Sequence, residues 1–356
     1  MKTMDNSNNL EKYADLIVNI GLNLHQGDKL NIRMSEHSLA LARLVSKKAY
    51  QKGVNDVRLD FSDDTTTLDR YLFAPDETFE SYPEYQVDFN ENLFKDNYNV
   101  LNLYAPNPDL LKPADPARIA QWQKVAGKAV KRIQHYTMQN EVKWCVTGVA
   151  CPAWAAAAFP ELPEEEAMQK LWDNIFMATR VDQPDPVAVW EEHDLKLKEH
   201  RKFLNDMHFD RVHYQGPGTD LVVGLPDLHI WEGGSGFSQK GDRFFPNIPT
   251  EEVFSMPDAD RVDGTLRATM PLSVRGQIVD NFHFTFKDGK VVDYDAEVGK
   301  QILDDLLDMD EGAKRLGEIA LVAANSPISN TGILFKNTLF DENASCHLAL
   351  GQAYPE

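Results

Sequence analysis

The stretch KLNIRMSEHSLALARLVSKKAYQKGVNDVRLDFS, residues 29–62, carries two kinds of hydrophobic pattern. Residues 29–34 form a short segment that is typical of a strand. A helical pattern follows and ends near Gly53; its apolar residues are Leu41, Leu44, Val45 and Ala49. Alternation then returns at Val57, Leu59 and Phe61. The stretch therefore predicts a strand–helix–strand unit with two parallel strands and a right-handed crossover.

Similar elements flank this unit. An apolar pattern of helical spacing precedes it between Leu10 and Leu24, and VLNLY (100–104) is a third strand. Residues 117–139 predict a long helix, and residues 141–150 a strand after it. Strands that alternate with helices predict an α/β N-terminal domain, with a mainly parallel sheet and flanking helices.

The second half of the chain has a different pattern. Residues 163–205 are charged and helical, and strands dominate after Gly216. Asp288-Gly289 separates two alternating runs and predicts a hairpin. The strand candidates are TDLVVGL (219–225), DLHIW (227–231), DGTLRATMPL (263–272), NFHFTF (281–286) and VVDYDA (291–296). We expect an α/β domain at 1–205 and a largely antiparallel α+β domain at 206–356.

Composition narrows the class of protein. A chain of 356 residues is long enough for two domains, and its formal net charge of −20 disfavours nucleic-acid and anionic membrane partners. The N-terminus has no apolar signal core, and the most apolar window (146–159) is too short to span a bilayer. Three cysteines (Cys145, Cys151, Cys346) form no CxxC pair. We expect a cytoplasmic protein with reduced thiols.

Carboxylates are the most promising functional residues. NIPTEEVFSMP (247–257) places Glu251 and Glu252 side by side in a segment that is too short for a helix. Neighbours on an extended chain point to opposite faces, so we expect one inward and one outward, with Glu251 outward. An exposed acidic pair is the simpler interpretation.

A third glutamate lies in DMDEGAKRLGEIALV (308–322). Asp310 and Glu311 predict the first turn of a short helix, and Gly317 its end. Glu318 then opens an apolar run. A buried carboxylate needs a partner, which could be Lys, Arg or a metal ion.

The last part of the chain adds His347 and Tyr354, seven residues apart, which share a face if 343–354 is helical. One histidine beside two glutamates provides the ligand types of a Zn²⁺ or Co²⁺ hydrolase, although a lone histidine is more often structural. Cys346-His347 is not a thiol-protease pair, because adjacent helical residues do not face each other. The glycine cluster WEGGSGF (231–237) predicts a hairpin or loop and not a phosphate loop, since no helix follows it.

Together these motifs resemble one family. NIPTEEVFSMP, DGTLRATMPLS, DMDEGAKRLGEIALV, SPISNTGILFKNTLFDENASCHLALGQAYPE and the N-terminal YADLIVNIGLNLHQGDKLNI are similar to the aminopeptidase T/aminopeptidase S family of dinuclear metallo-aminopeptidases. The similarity runs from about residue 10 to the last residue. Several long motifs match in order, which makes the resemblance specific.

The resemblance implies both site and activity. It makes Glu252, Glu318 and His347 metal ligands and Tyr354 an active-site residue. It implies two divalent ions, cobalt, zinc or similar, homodimers, and peptide substrates with a free N-terminus. A metal-activated water would attack the first peptide bond, with Glu318 beside that water and Tyr354 donating to the developing oxyanion. Glu251 is a weaker candidate for an acid–base or amine-binding role.

Two family ligands, spaced His-x-Asp, follow the tyrosine in the family pattern, whereas this sequence ends at Glu356. We therefore expect a sequence truncated at its C-terminus. The alternative function is a catalytically impaired or non-catalytic scaffold that binds peptides. A third interpretation, an unrelated nucleotide-binding α/β protein, lacks a convincing phosphate loop.

Overall fold

The computed structural model describes residues 6–274 and 277–353. Its helices are α1 (Ser7–Leu16), α2 (Leu39–Gln51), α3 (Asp64–Phe73), α4 (Glu84–Lys95), α5 (Pro116–Met138), α6 (Pro152–Ala158), α7 (Glu164–Ala178), α8 (Pro186–Met207), α9 (Lys300–Leu307) and α10 (Thr338–Asp341). A π-helical turn, Ile17–Gly21, directly follows α1.

The strands are β1 (Lys29–Ser35), β2 (Asp56–Ser62), β3 (Tyr98–Tyr104), β4 (Trp144–Gly148), β5 (Arg211–Gly216), β6 (Thr219–Gly224), β7 (Gly236–Phe237), β8 (Arg243–Phe244), β9 (Asn247–Ile248), β10 (Glu252–Ser255), β11 (Val262–Arg267), β12 (Leu272–Val274), β13 (Gln277–Lys287), β14 (Lys290–Val298), β15 (Leu316–Val322) and β16 (His347–Leu350).

The described chain folds as two compact units. The first runs through Glu191 and also includes Ser235–Pro249; the second comprises Glu192–Gly234 and the residues from Thr250 onward. This division falls inside α8, earlier than the boundary expected at residue 205. A second difference is that the later segment Ser235–Pro249 belongs to the first unit, because its strand β9 pairs with β4.

A five-stranded parallel sheet forms the centre of the first unit, in the order β2-β1-β3-β4-β9. The strand–helix–strand unit predicted from residues 29–62 is present as β1, α2 and β2. Leu30, Ile32 and Leu101 are fully buried in the sheet. Asn31, which lies between two of them on the other face of β1, is buried as well, so this strand is covered on both faces. The predicted α/β N-terminal fold is confirmed.

Antiparallel sheets form the second unit. One contains β12-β13-β11-β6-β5, with β14 paired to β13, and the other is β10-β15-β16. The predicted hairpin turns at Asp288 and Gly289, which both have positive φ (49° and 77°), as a tight two-residue turn requires. The largely antiparallel α+β expectation is therefore confirmed.

One predicted strand is wrong. DLHIW (227–231) lies in a turn and an irregular segment, and Leu228 is 92% exposed. Only the next residue, Glu232, forms an isolated bridge, with Phe254. Apolar residues alternate here without a partner strand, so the pattern alone misled the prediction.

In the part of the chain that the structure describes, every helix is too short or too polar to cross a lipid bilayer.

Candidate metal centre

The three-stranded sheet β10-β15-β16 brings the predicted ligands onto one face. Directly paired residues in an antiparallel sheet share a face, as do alternate residues along each strand. The pairs that fix the register are Glu252 with Val322, Phe254 with Ala320, Ala320 with His347, and Glu318 with Ala349. Glu252, Glu318 and His347, which we call the ligand trio, therefore project from the same face.

The opposite face of this sheet belongs to the hydrophobic core of the second unit. Val253 and Ile319 are buried in that core, and Leu348 packs against it. The three strands thus have an apolar side that anchors them and a polar side that carries the ligand trio. A rigid strand framework of this kind holds side chains more precisely than a loop does.

An irregularity at Gly317 directs Glu318. Leu316 and Glu318 are two residues apart and would share a face on a regular strand. The register shifts between them, so Leu316 faces the core while Glu318 joins the ligand trio. A Cβ at Gly317 would lie 2.6 Å from the carbonyl oxygen of Gly351. Gly317 was predicted to end a helix; this prediction is wrong, since the glycine lies within β15 and allows the bulge.

The ligand trio converges closely. One ligand atom from each residue lies within 4.8 Å of the others. Nε2 of His347 lies 3.1 Å from Oε2 of Glu252 and 3.5 Å from Oε1 of Glu318. Their side chains are 8% (Glu252), 23% (Glu318) and 20% (His347) exposed. Oε2 of Glu252 and Nε2 of His347 are both buried and form no hydrogen bond.

Glu251 is not outward, as we had expected, but 7% exposed. Alternation did not apply, because β10 begins only at Glu252 and Glu251 precedes it. Oε2 of Glu251 lies 3.7 Å from Nε2 of His193, and the backbone N–H of Glu251 donates to Oδ1 of Asn343 at 2.7 Å. Glu251 therefore belongs to the surroundings of the ligand trio rather than to a solvated acidic pair.

The condition of a helix at 343–354 is not met in the described part of this segment. A short 3₁₀ turn ends at Ala344, and His347 opens strand β16. Pairing with β15 makes His347–Leu350 a strand, so the argument from helical spacing does not apply here. Tyr354 lies outside the described residues. Cys346 has its sulfur beside the backbone of Val322.

The family follows from comparison with known proteins. A family model described as thermophilic metalloprotease (M29) matches residues 6–356. The chain belongs to the M29 metalloprotease family. Aminopeptidase 2 of Geobacillus stearothermophilus is 45% identical over 346 residues, which cover 97% of this chain and 84% of that protein. Aminopeptidase AmpS of Bacillus subtilis (strain 168) is 45% identical over 348 residues, or 98% and 85% of the two chains.

Solved structures agree with this M29 assignment. The structure titled wild-type AmpT from Thermus thermophilus matches with a TM-score of 0.93 and 39% sequence identity. The match covers 98% of this chain and 87% of that one. Both the sequence and the fold therefore place the whole described chain among the M29 enzymes.

The residues present fit the metal ion that an M29 metalloprotease requires. Two carboxylates and an imidazole are ligand types that Zn²⁺ and Co²⁺ accept. Two buried ligand atoms without a hydrogen bond are costly in a metal-free protein, and a cation would satisfy both. Among the described residues, the ligand trio is the group of potential metal ligands (His, Cys, Asp or Glu) whose ligand atoms converge closely enough to hold an ion.

Electrostatics around the ligand trio point the same way. Burial lowers the pKa of His347, but the neighbouring carboxylates of Glu252 and Glu318 outweigh it and raise this pKa to about 11. Burial and then the charge of Glu252 raise the pKa of Glu342 to about 8. The carboxylates therefore concentrate negative charge at this site, and this charge favours the binding of a cation.

Sequence reasoning missed Glu342 as part of this environment. It lies in the segment DENASCH that carried the family resemblance, but nothing in its spacing separates it from an exposed acid. Its half-buried position beside the ligand trio comes from the short turns between α10 and β16. Only the folded structure shows that burial and the charge of Glu252 raise the pKa of Glu342.

Proposed function

We propose that this chain is a metal-dependent aminopeptidase that hydrolyses the N-terminal residue of peptides by means of a metal-activated water. The observation that carries the proposal is the convergence of Glu252, Glu318 and His347 on one sheet face of an M29 chain. The relatives named above are aminopeptidases, which supports the choice of exopeptidase over endopeptidase.

Each residue of the ligand trio has a role in the proposal. Glu252 and His347 would hold metal, and Glu318, the most exposed of the three, is our candidate for a ligand beside the metal-activated water. Two ions of cobalt, zinc or a similar metal, when bound, would provide a nucleophilic water near neutral pH and polarisation of the scissile carbonyl. Tyr354 is our candidate donor to the oxyanion, and buried Glu251 a candidate acid–base or amine-binding residue.

The remaining parts of the proposal concern the substrates, the oligomeric state and the cellular location of the enzyme. Its substrates are peptides with a free N-terminus, and it works as a cytoplasmic homodimer without nucleic-acid or membrane partners. The net charge of −20 supports the last point. A non-catalytic scaffold gains no support, because the relatives are named as aminopeptidases.

A chelator experiment tests the proposed function. Purified protein is stripped of metal, dialysed, and assayed with leucine p-nitroanilide before and after Co²⁺ or Zn²⁺ is added. We expect no release of nitroaniline from the stripped protein and recovery with metal. N-acetyl-leucine p-nitroanilide is the matched control, and it should not be cleaved. Turnover that is indifferent to chelator, or equal on the acetylated amide, would contradict the proposal.

Metal binding should release protons. His347 carries a proton at neutral pH in the metal-free chain, since its pKa is raised to about 11, and a metal ion binds only the neutral imidazole. The pKa of Glu342, raised to about 8, leaves it largely protonated at pH 7 and able to release a further proton. We therefore expect the Kd for Co²⁺ to fall by about tenfold per pH unit for each proton released.

Calorimetry in buffers of different ionisation enthalpy measures this release directly. The wild-type protein should release at least one proton per bound Co²⁺ at pH 7. His347→Gln has no proton to lose at this position, so its release should be smaller by one. Binding without proton release in the wild-type protein would show that His347 is not a ligand.

A further inference from the structure

The peptide unit between Thr250 and Glu251, one residue upstream of Glu252, is held by side chains on both of its polar groups. The carbonyl oxygen of Thr250 lies 2.8 Å from Nε2 of His193, and the N–H of Glu251 donates to Oδ1 of Asn343 at 2.7 Å. Thr250 and Glu251 are both buried. We call this pair of contacts the peptide clamp. Both clamping side chains and the clamped peptide lie in the second unit.

The position of the peptide clamp matters because of where the sheet begins. β10 starts at Glu252, whose pairing with Val322 is the first in its ladder with β15. The sheet therefore fixes the backbone from Glu252 onward but not the Thr250–Glu251 peptide upstream of it. The clamp holds that peptide, and it therefore restrains the path by which the chain enters β10 and the orientation in which Glu252 begins the strand.

Asn343 connects this peptide to the rest of the site. It is fully buried, its Nδ2 donates to the carbonyl of Leu339 at 2.9 Å, and its own carbonyl accepts from Oγ of Ser326 at 3.0 Å. Ser326 follows β15, the strand of Glu318, and Asn343 precedes β16, the strand of His347. One asparagine thus joins the three segments that carry the ligand trio.

His193 holds the peptide from the other side. It lies on α8, and its side chain is largely buried. Because a carbonyl oxygen can only accept, the contact with Thr250 assigns the hydrogen to Nε2 of His193. The same nitrogen lies 3.7 Å from Oε2 of Glu251. The imidazole therefore fixes the peptide and neighbours the adjacent carboxylate without belonging to the ligand trio.

We propose that His193 and Asn343 are positioning residues that direct Glu252 towards the metal by clamping the Thr250–Glu251 peptide. The inference rests on the proposed function in one respect, that Glu252 is a metal ligand. The simpler alternative is that the clamp only stabilises the fold, as any buried hydrogen bond does. The two differ in metal affinity, since partners that orient a ligand typically change it by about 10- to 100-fold when removed.

The variants are chosen to separate these two roles. Asn343→Ala removes the contact to the Glu251 N–H, and His193→Ala removes the contact to the Thr250 carbonyl. His193→Gln is the conservative partner, because its side-chain amide can still donate near the position of Nε2. Asn99→Ala is the control: Asn99 is buried in the first unit and also makes two backbone hydrogen bonds, with Lys143 N–H and the Lys29 carbonyl.

Two quantities are measured on metal-stripped protein: the Kd for Co²⁺, from the absorption of the bound ion, and the thermal unfolding midpoint without metal. We expect Kd to rise by about 10- to 100-fold in Asn343→Ala and His193→Ala. His193→Gln should stay close to the wild-type Kd. Asn99→Ala should lower the unfolding midpoint but leave Kd unchanged.

The outcomes are distinguishable. If Asn343→Ala and His193→Ala unfold earlier but bind Co²⁺ as the wild type does, the clamp is only structural and the inference is wrong. If Asn343→Ala does not fold, the comparison of His193→Ala with His193→Gln decides alone. If the wild-type protein itself binds no Co²⁺, the proposed function fails, independently of the clamp.

Discussion

Glu318→Gln is expected to lower metal-dependent kcat/KM by roughly a thousandfold. Glutamine keeps the size of the side chain but removes the negative charge on the sheet face where Oε1 of Glu318 approaches Nε2 of His347 at 3.5 Å. Metal-based stabilisation of a transition state contributes several kcal/mol, and each factor of ten corresponds to about 1.4 kcal/mol. The measurement is leucine p-nitroanilide hydrolysis at saturating Co²⁺.

Glu311→Gln is the matched control for this variant. Glu311 lies in the same unit, shortly before β15, and its carboxylate is exposed and paired with Nζ of Lys290 at 2.9 Å. Removing an exposed ion pair costs little, so activity should stay near the wild-type value. Glu318→Gln with activity comparable to that of Glu311→Gln would exclude Glu318 from the reaction.

Local periodicity predicted the first unit well and the ends of elements in the second unit poorly. In residues 29–62 the strand and helix patterns follow each other without ambiguity, and the structure has β1, α2 and β2 there. Gly317 was misassigned, and the segment 343–354 could not be assigned, because each depends on a partner that is distant in sequence. β15 needs a bulge to turn Glu318 away from the core, and β16 forms only because β15 is beside it.

The ligand trio could be predicted from the motifs and the family that they resemble, but its surroundings could not. Residues 252, 318 and 347 are far apart in sequence, and no spacing rule states that they meet. Glu251 shows why its position next to Glu252 in the sequence misleads. Side chains alternate between faces only within a strand, and Glu251 precedes β10. His193 and Asn343, which belong to other segments, contact Glu251 and enclose it. Burial of this kind is a tertiary property.

Both glutamates of the TEE motif are buried, yet their surroundings differ. Glu251 lies near an imidazole that belongs to no metal ligand group, whereas Glu252 faces His347 and Glu318. A buried carboxylate is tolerated when charge or hydrogen bonds compensate it. Glu251 has the imidazole of His193 nearby, whereas Glu252 shares its surroundings with a second carboxylate, and a cation there would compensate both charges, which supports the proposed metal site on this face of the sheet.

Ala320→Leu is expected to weaken Co²⁺ binding by roughly 100-fold or more, the upper end of the range for disturbing a ligand set. Ala320 pairs with Phe254 on one side and His347 on the other, and it lies between Glu318 and Val322 along β15. It is fully buried on the face where the ligand atoms converge. A leucine would place three further carbons beneath them and force the side chains apart.

Overpacking of this kind also costs about 1–3 kcal/mol of folding free energy, so affinity and stability must be measured together. Ala349→Leu is the matched control, since Ala349 pairs with Glu318 on the same face but is exposed. It should leave both the unfolding midpoint and the Kd for Co²⁺ nearly unchanged. If a folded Ala320→Leu protein bound Co²⁺ as tightly as Ala349→Leu does, the metal could not lie above the centre of β10-β15-β16. The ligand trio would then have to bind it from the rim of the sheet.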